Sequence, residues 1–272
     1  MVDIVPLPAS TVVLVRDSDR GLQVLLMQRN LQSGFMPGMH LFPGGAIDEA
    51  DASAELARLC AGLDDVAASS ALGLPRGGLA YWVAAIRESF EEAGILLTYD
   101  AQGEMVLLDR TEEIARFRER RAALNAGTQE FGALLREEGL QLAADRLVYF
   151  SNWITPVTAP RRYDTRFFVA EAPAGQDVLH DNRELISHVW MNPGLALDKF
   201  RSGEFKMRTP TVKTLGQLAG YSSARSLIDA MRAQRDIPAM LPRINKKGER
   251  LLPGDPGYEE ADSDEGRGAW RT

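Results

Sequence analysis

The 272-residue chain has a single cysteine and no long apolar run. Cys60 has no second cysteine to pair with, which excludes a disulfide-stabilised scaffold and suits a reducing compartment. No stretch reaches the ~18 to 20 apolar residues that a membrane-spanning helix needs. The N-terminus also lacks a basic region followed by an apolar one. These absences predict a cytoplasmic protein without a membrane partner.

An excess of positive charge is also absent, because Lys and Arg number 31 against 38 Asp and Glu, for a net charge of −7. The chain therefore lacks the long-range positive field that nonspecific nucleic-acid binding usually needs, and we expect no nucleic-acid partner. If the protein handles anions, something else must supply the positive charge. The length suits one large domain with a sizeable core, or one domain with an appendage.

Strand-like and helical segments alternate along the chain. Short apolar, β-branched runs predict strands at 11–15, 23–27, 95–98, 147–154, 165–170 and 186–190. An apolar stripe that starts at Leu79 predicts a long helix ending at Gly94, which suits a left-handed cap. Further helices are predicted as two short ones within 52–72, a pair within 111–145 broken at 125–127, and two more at 211–219 and 222–234.

This alternation predicts a mixed α/β fold. We expect one domain at 1–205, with helical insertions at about 52–78 and 111–145. A C-terminal helical extension at 206–272 should follow, with a loose acidic tail.

Three glutamates, Glu88, Glu91 and Glu92, gather in the last turn of the long predicted helix. At ~100° per residue they share one face, opposite the apolar stripe. Glu88 and Glu92 form a like-charge i,i+4 pair, and each acid near the helix C-terminus is disfavoured by ~0.3 to 1 kcal/mol. A solvated acidic helix end is one explanation. The other is a bound divalent cation, which would offset all of these costs because hard ions take carboxylate oxygens.

The segment Arg87-Glu88-Ser89-Phe90-Glu91-Glu92-Ala93-Gly94-Ile95 resembles the R-E-U-x-E-E-x-G-U core of the Nudix hydrolase family, where U is a bulky aliphatic residue. Gly45, with Asp51 six positions later, resembles the opening of the family's full box. In that box the Arg follows the Gly by 14 positions, whereas Arg87 follows Gly45 by 42, so about 28 residues are inserted. Gly73 has the usual spacing, but Leu79 then occupies the acidic position.

Other segments resemble one branch in particular, the peroxisomal coenzyme A diphosphatases and their bacterial relatives. They are spread along most of the chain, at 25–29, 38–45, 153–156, 161–168 and 252–256. The resemblance implies a mixed sheet between helices and hydrolysis of a nucleoside diphosphate linked to another group. It also implies Mg²⁺ or Mn²⁺ as the cofactor.

The resemblance assigns site residues one by one. Metal binding and catalysis carry over to Glu88, Glu91 and Glu92, with a backbone carbonyl of the turn at Gly45 as a further ligand and Arg87 orienting the carboxylates. Glu184, six positions before Trp190, is the candidate for an additional acidic metal and catalytic residue. Which glutamate is the general base stays open.

Three arginines, Arg29, Arg161 and Arg162, are candidates to hold the substrate's phosphates through forked, charge-assisted bonds. Ordinary surface salt bridges are the alternative for each of them. Other side chains receive structural assignments: His40, His180 and His188 lack a metal-binding spacing, and Cys60 and Trp82 are assigned to the core. Trp153 and Tyr163, near loop ends, are candidates for an adenine contact.

The sequence thus predicts a metal-dependent Nudix pyrophosphohydrolase that cleaves coenzyme A or acyl-coenzyme A to 4′-phosphopantetheine and adenosine 3′,5′-bisphosphate. One alternative is the same chemistry on another nucleotide substrate, such as ADP-ribose, a dinucleotide or an oxidised nucleotide. A second is a non-catalytic Nudix-fold binding module. The insertions and the C-terminal helices either cover the pocket or form a surface for a homodimer.

Overall fold

The computed structural model of the protein describes residues 4–30, 37–178 and 185–261. The strands within these ranges are β1 (Leu7–Ser18), β2 (Gly21–Arg29), β3 (His40–Leu41), β4 (Gly44–Ala46), β5 (Thr98–Tyr99), β6 (Gln141–Leu142), β7 (Val148–Ile154), β8 (Tyr163–Glu171), β9 (Leu185–Met191), β10 (Ala239–Met240), β11 (Arg243–Ile244) and β12 (Arg250–Leu251). The helices are α1 (Ala54–Leu59), α2 (Asp65–Leu72), α3 (Leu79–Ala93), α4 (Thr111–Asn125), α5 (Phe131–Glu138), α6 (Pro193–Arg201), α7 (Thr209–Leu218) and α8 (Ala224–Ala233).

One mixed sheet organises the fold, with strand order β10-β7-β8-β1-β2-β3. β1 runs parallel to β8 and antiparallel to β2. The short strands β3 and β4 lie where β1 and β2 separate, since β3 pairs with β2 while β4 pairs with β1. The loop between β3 and β4 is thereby held between the two central strands, beside the end of α3 that carries the glutamates.

Apolar side chains alternate along the central strands and build a hydrophobic core on each face of the sheet. On one face, Val12 and Leu14 pack with α3 and with residues of α4 and α5. On the other, Val13 and Val15 pack with α6, α7 and α8. The predicted α/β class and the mixed sheet between helices are confirmed.

The long predicted helix is confirmed as α3. Gly94 follows it at φ 71°, and the N–H groups of Gly94 and Ile95 donate to the carbonyls of Phe90 and Ser89. This is the arrangement in which a left-handed residue closes a helix. At the other end, a Cβ on Gly78 would lie 2.4 Å from the backbone nitrogen of Ser69, so α2 packs directly against the start of α3.

Both predicted helical insertions are present, as α1 with α2 and as α4 with α5. The strand predicted at 95–98 is largely wrong, because only Thr98 of that segment is in a strand, β5. Leu96 is fully buried, and its N–H and C=O bond the side-chain amide of Gln176 at 2.8 and 3.0 Å. A side chain therefore supplies the partners that a neighbouring strand would otherwise give.

The two predicted C-terminal helices are confirmed as α7 and α8. Leu215 and Leu227 are fully buried in the core of the second sheet face. The domain boundary near residue 205 stays a prediction, but the helices beyond it share a core with the sheet. No helix among the described residues is both long and apolar enough to cross a bilayer.

Phe90 provides a test of this core. It is 1% exposed and meets Phe117 of α4 edge to face at 6.4 Å. We expect Phe90→Ala to lower the free energy of unfolding by about 3 to 5 kcal/mol, because it leaves a cavity between α3 and α4. Denaturant titration measures the change. Val66→Ala, at a position 80% exposed, is the control and should change stability by less than about 0.5 kcal/mol. A similar small loss for Phe90→Ala would contradict this packing.

Candidate active site

Arg87 is the centre of a network of carboxylates on α3 and in the loop after β4. Its Nε and Nη2 donate to the two oxygens of Asp51, both at 2.9 Å. Nη1 donates to Glu88 Oε1 at 2.8 Å and to Glu91 Oε2 at 3.0 Å, and Nη2 also donates to the carbonyl of Ala46 at 3.0 Å. Both Arg87 and Asp51 are buried. The Arg87 guanidinium therefore connects Asp51, in the first part of the family's motif, with Glu88 and Glu91, in the second part, across the insertion.

The network shifts the pKa values of its members. Burial and the charges of Glu91 and Asp51 raise the pKa of Glu88 to about 7, although Arg87 acts in the opposite direction. Burial likewise raises the pKa of Glu91 against the effect of Arg87. Burial alone would lower the pKa of Arg87, but the Asp51 hydrogen bond and the neighbouring carboxylates raise it. Arg87 thus stays charged, while Glu88 is more readily protonated near neutral pH than an exposed glutamate.

The turn formed by Gly44 and Gly45 contacts the carboxylates of Glu92 and Glu88. The Gly44 N–H donates to Glu92 Oε2 at 2.9 Å. A Cβ on Gly45 would lie 2.3 Å from Glu88 Oε1, so the glycine backbone approaches that carboxylate more closely than any other residue could. The turn predicted to contribute a ligand therefore lies directly against the glutamates.

The last turn of α3 is held from outside by α4. Arg121 Nε donates to the carbonyl of Glu91 at 2.8 Å, and its Nη2 donates to the carbonyl of Glu92 at 2.7 Å. Asn125 Nδ2 also reaches the Glu91 carbonyl at 3.2 Å. A partly buried cation at a helix C-terminus stabilises by up to about 2 kcal/mol. The predicted penalty of acids at this helix end is therefore offset by a residue of the 111–145 insertion.

The sequence analysis did not identify Arg121, although a signal was present. The residue lies four positions after Phe117 and three before Leu124, and all three are buried. An arginine on the apolar stripe of a charged helix needs a buried partner, because an unpaired charge there is costly. That partner, the backbone of α3, is distant in sequence and could not be deduced from the pattern.

Oxygen-rich, partly buried and close to a glycine turn, the site suits a hard divalent cation. In ranges 4–30, 37–178 and 185–261, however, no three Asp, Glu, His or Cys side chains surround one point closely enough for a metal. The reason is that Arg87 Nη1 bonds Glu88 and Glu91, while Glu92 turns towards Gly44. A metal ion here would therefore need these carboxylates in orientations other than those that the hydrogen bonds hold.

The remaining predicted residues differ in their placement. Glu184 lies outside the described residues. Arg161 is exposed, and Arg29 ends β2, where its backbone pairs with Gly38 and Met39. Arg162 is buried, with Nε donating to the Thr155 carbonyl and Nη1 to the Ile4 carbonyl, so these donors tie chain segments together. The phosphate contacts of the three arginines stay predictions.

Most structural assignments agree with the geometry. Trp82 is buried, and its indole N–H donates to the Leu147 carbonyl at 3.2 Å. Burial raises the pKa of the Cys60 thiol to about 12, which makes this thiol a poor nucleophile. His40 is buried and stacks on Phe205 at 3.7 Å. His188 lies in β9, and His180 falls outside the described residues.

The adenine contact predicted for Trp153 does not agree with its position. Trp153 packs in the core on the second sheet face, and its indole N–H has no hydrogen-bond partner in the part of the chain that the structure describes. Tyr163 is half-buried at the start of β8.

Comparison with known proteins gives consistent similarities. The model of a family described as the NUDT19 Nudix domain matches residues 64–218. The chain is 30% identical over 276 residues to acyl-coenzyme A diphosphatase NUDT19 of Gallus gallus, covering 88% of this chain and 73% of that protein. The Homo sapiens protein of the same name is 30% identical over 282 residues, covering 90% and 74%.

A solved structure extends the similarity to the fold. The crystal structure of a NUDIX hydrolase from Alicyclobacillus acidocaldarius has a TM-score of 0.65 and 28% sequence identity to this chain. It covers 86% of this chain and 99% of the bacterial protein. The fold is therefore shared with a bacterial Nudix hydrolase over most of the chain.

Glu88 should make the stability of the metal-free protein depend on pH. Its pKa is raised from an ordinary 4.5 to about 7, so its contribution to stability is present below pH 4.5 and is lost as pH rises through 7. We expect the melting temperature of the wild type in EDTA to fall, relative to that of Glu88→Gln, between pH 5 and pH 8. Thermal melts at both pH values measure the difference. Glu112→Gln, at an exposed position on α4, is the control, and its melting temperature should change with pH as that of the wild type does. Parallel pH dependences of the melting temperature in the wild type and Glu88→Gln would contradict the raised pKa of Glu88.

Proposed function

The chain belongs to the NUDT19 Nudix-domain family, and from this premise we propose that it is a divalent-metal-dependent pyrophosphohydrolase of coenzyme A or acyl-coenzyme A. The products would be 4′-phosphopantetheine and adenosine 3′,5′-bisphosphate. The names of the relatives support the substrate class, because the Gallus gallus and Homo sapiens proteins are both acyl-coenzyme A diphosphatases. Hydrolases of this family generally depend on divalent metal ions, and we propose Mg²⁺ or Mn²⁺ for this one.

The observation that carries the proposal is the Arg87 network. An insertion of about 28 residues separates Asp51 from the helix, yet Arg87 bonds Asp51, Glu88 and Glu91 together. A binding module without catalysis has no need to retain three acids at a helix C-terminus. The intact network therefore favours catalysis over the non-catalytic alternative.

The side chains of the site have separable tasks in this proposal. Arg87 keeps Glu88 and Glu91 together in the free protein, and the Gly44 N–H holds Glu92 at the glycine turn. A carboxylate of this set accepts the proton of the attacking water. When bound, the metal ion supplies the positive charge for the nonbridging phosphate oxygens and lowers the pKa of a water molecule. Without that positive charge, a diphosphate would be repelled by the acidic cluster.

We propose Arg29 and Arg161 as contacts for the phosphates, and the phosphate contact predicted for Arg162 is likewise a proposal. Glu184 is proposed as the additional acidic residue. A cytoplasmic location and a homodimer are likewise proposals, and the charge of −7 supports the absence of a nucleic-acid partner.

Replacing one carboxylate at a time tests the metal assignment. We expect Glu92→Gln to lower kcat about 10²- to 10⁴-fold, because it removes a negative charge from the site. The fold should persist, since the Gln carbonyl can still accept the hydrogen bond from Gly44. Steady-state hydrolysis with Mg²⁺ or Mn²⁺ measures kcat, and circular dichroism checks the fold. Glu112→Gln is the matched control and should retain wild-type activity. Near-wild-type turnover in Glu88→Gln, Glu91→Gln and Glu92→Gln would refute the assignment.

A substrate panel tests the remaining part of the proposal. We expect coenzyme A and an acyl-coenzyme A to be hydrolysed with a higher kcat/KM than dephospho-coenzyme A, ADP-ribose or NADH. The reason is that an enzyme for coenzyme A gains from contacts to its 3′-phosphate, which the other compounds lack. Product analysis should detect adenosine 3′,5′-bisphosphate. A preference for dephospho-coenzyme A or ADP-ribose would overturn the substrate while leaving the hydrolytic chemistry intact.

A further inference from the structure

The last turn of α3 carries both the glutamate side chains of the site and a set of carbonyls that the helix cannot satisfy. The Gly94 and Ile95 N–H groups bond the carbonyls of Phe90 and Ser89. The next two carbonyls belong to Glu91 and Glu92, which are proposed metal ligands. These carbonyls are bonded from outside the helix, by residues of the 111–145 insertion.

Arg121 has the geometry to fix both carbonyls at once. Its Nε and Nη2 form a planar fork whose two bonds, at 2.8 and 2.7 Å, end on consecutive residues of α3. Arg121 is 6% exposed, so it is held in this orientation by its surroundings. Asn125, one turn further along α4, adds a third bond to Glu91. The backbone carbonyls of both glutamates are therefore held by side chains of α4.

We propose that Arg121 is a positioning residue for the metal centre, which it orders by holding the backbone of Glu91 and Glu92. The proposal rests on the proposed function, because it assumes that these glutamates bind the cation. It gives the 111–145 insertion a role at the site that needs no contact with substrate. Groups that orient metal ligands in this way commonly change metal affinity about 10- to 100-fold when they are removed.

A positioning role and a purely electrostatic role predict opposite results. The charge of Arg121 repels a cation, so if charge were its only effect, Arg121→Gln would bind metal more tightly and Arg121→Lys would be unchanged. If the fork orders the glutamates, both variants should bind metal more weakly, because Lys keeps the charge but cannot bond two carbonyls in a plane. The two substitutions together separate the explanations.

The experiment measures Mn²⁺ binding to the full chain without substrate, from the electron paramagnetic resonance signal of free Mn²⁺. We expect the dissociation constant to rise about tenfold or more in Arg121→Gln and by a smaller factor in Arg121→Lys. Asn125→Ala should have a weak effect in the same direction. Arg118→Gln makes the matched substitution at an exposed position on the same helix and should bind as the wild type does. The metal concentration for half-maximal hydrolysis should rise in parallel with the dissociation constant.

Circular dichroism and thermal melts in EDTA establish whether each variant is folded. If Arg121→Gln does not fold, the Mn²⁺ affinity of Arg121→Lys tests the inference. Wild-type affinity in the folded Arg121 variants, or tighter binding by Arg121→Gln, would overturn the inference alone. Mn²⁺ binding by Glu91→Gln distinguishes failure of the inference about Arg121 from failure of the proposed function. If the wild type does not bind Mn²⁺, or if Glu91→Gln binds it as tightly as the wild type, the metal centre is wrongly assigned. The inference about Arg121 is then wrong as well.

Discussion

One buried guanidinium organises the site. Arg87 is surrounded by carboxylates that repel one another, and it bonds three of them together with the carbonyl of Ala46. A buried arginine without these partners would be strongly destabilising, and so would the buried Asp51. The network is therefore stable only as a whole. It also fixes where α3 lies relative to β4, since Ala46 and Asp51 come from the loop side and Glu88 and Glu91 from the helix.

The position of the acids at a helix C-terminus is explained by what surrounds that terminus. Gly94 closes the helix backbone, and Arg121 places a positive charge at the negative end of the helix dipole. The negative charge of Glu88 is only partly compensated, since burial and neighbouring carboxylates raise its pKa to about 7 in spite of Arg87. Under the proposed function, a divalent cation would offset the repulsion that remains between these carboxylates.

Sequence patterns predicted the parts of the fold that depend on local periodicity. The apolar stripe from Leu79 and the glycine at 94 were sufficient to predict α3 and its end. The segment before β5 was predicted wrongly, because Gln176, 80 residues away, supplies the partners of Leu96 and no local pattern shows this. Trp153 was misassigned for a similar reason, since its position near a loop end in the sequence did not reveal the core around it.

For the site, the sequence predicted the set of glutamates and Arg87 but not what holds them. Asp51 was matched to the opening of the family's box by accepting an insertion of about 28 residues, and its ion pair with Arg87 was not predicted. The same feature has an evolutionary consequence. The inserted segment folds as α1 and α2, with α2 packed against the start of α3, so connections of very different length can join the same two anchors. Homologous enzymes can therefore share this centre while their motifs go undetected by any search that requires a fixed interval between the glycine and the arginine.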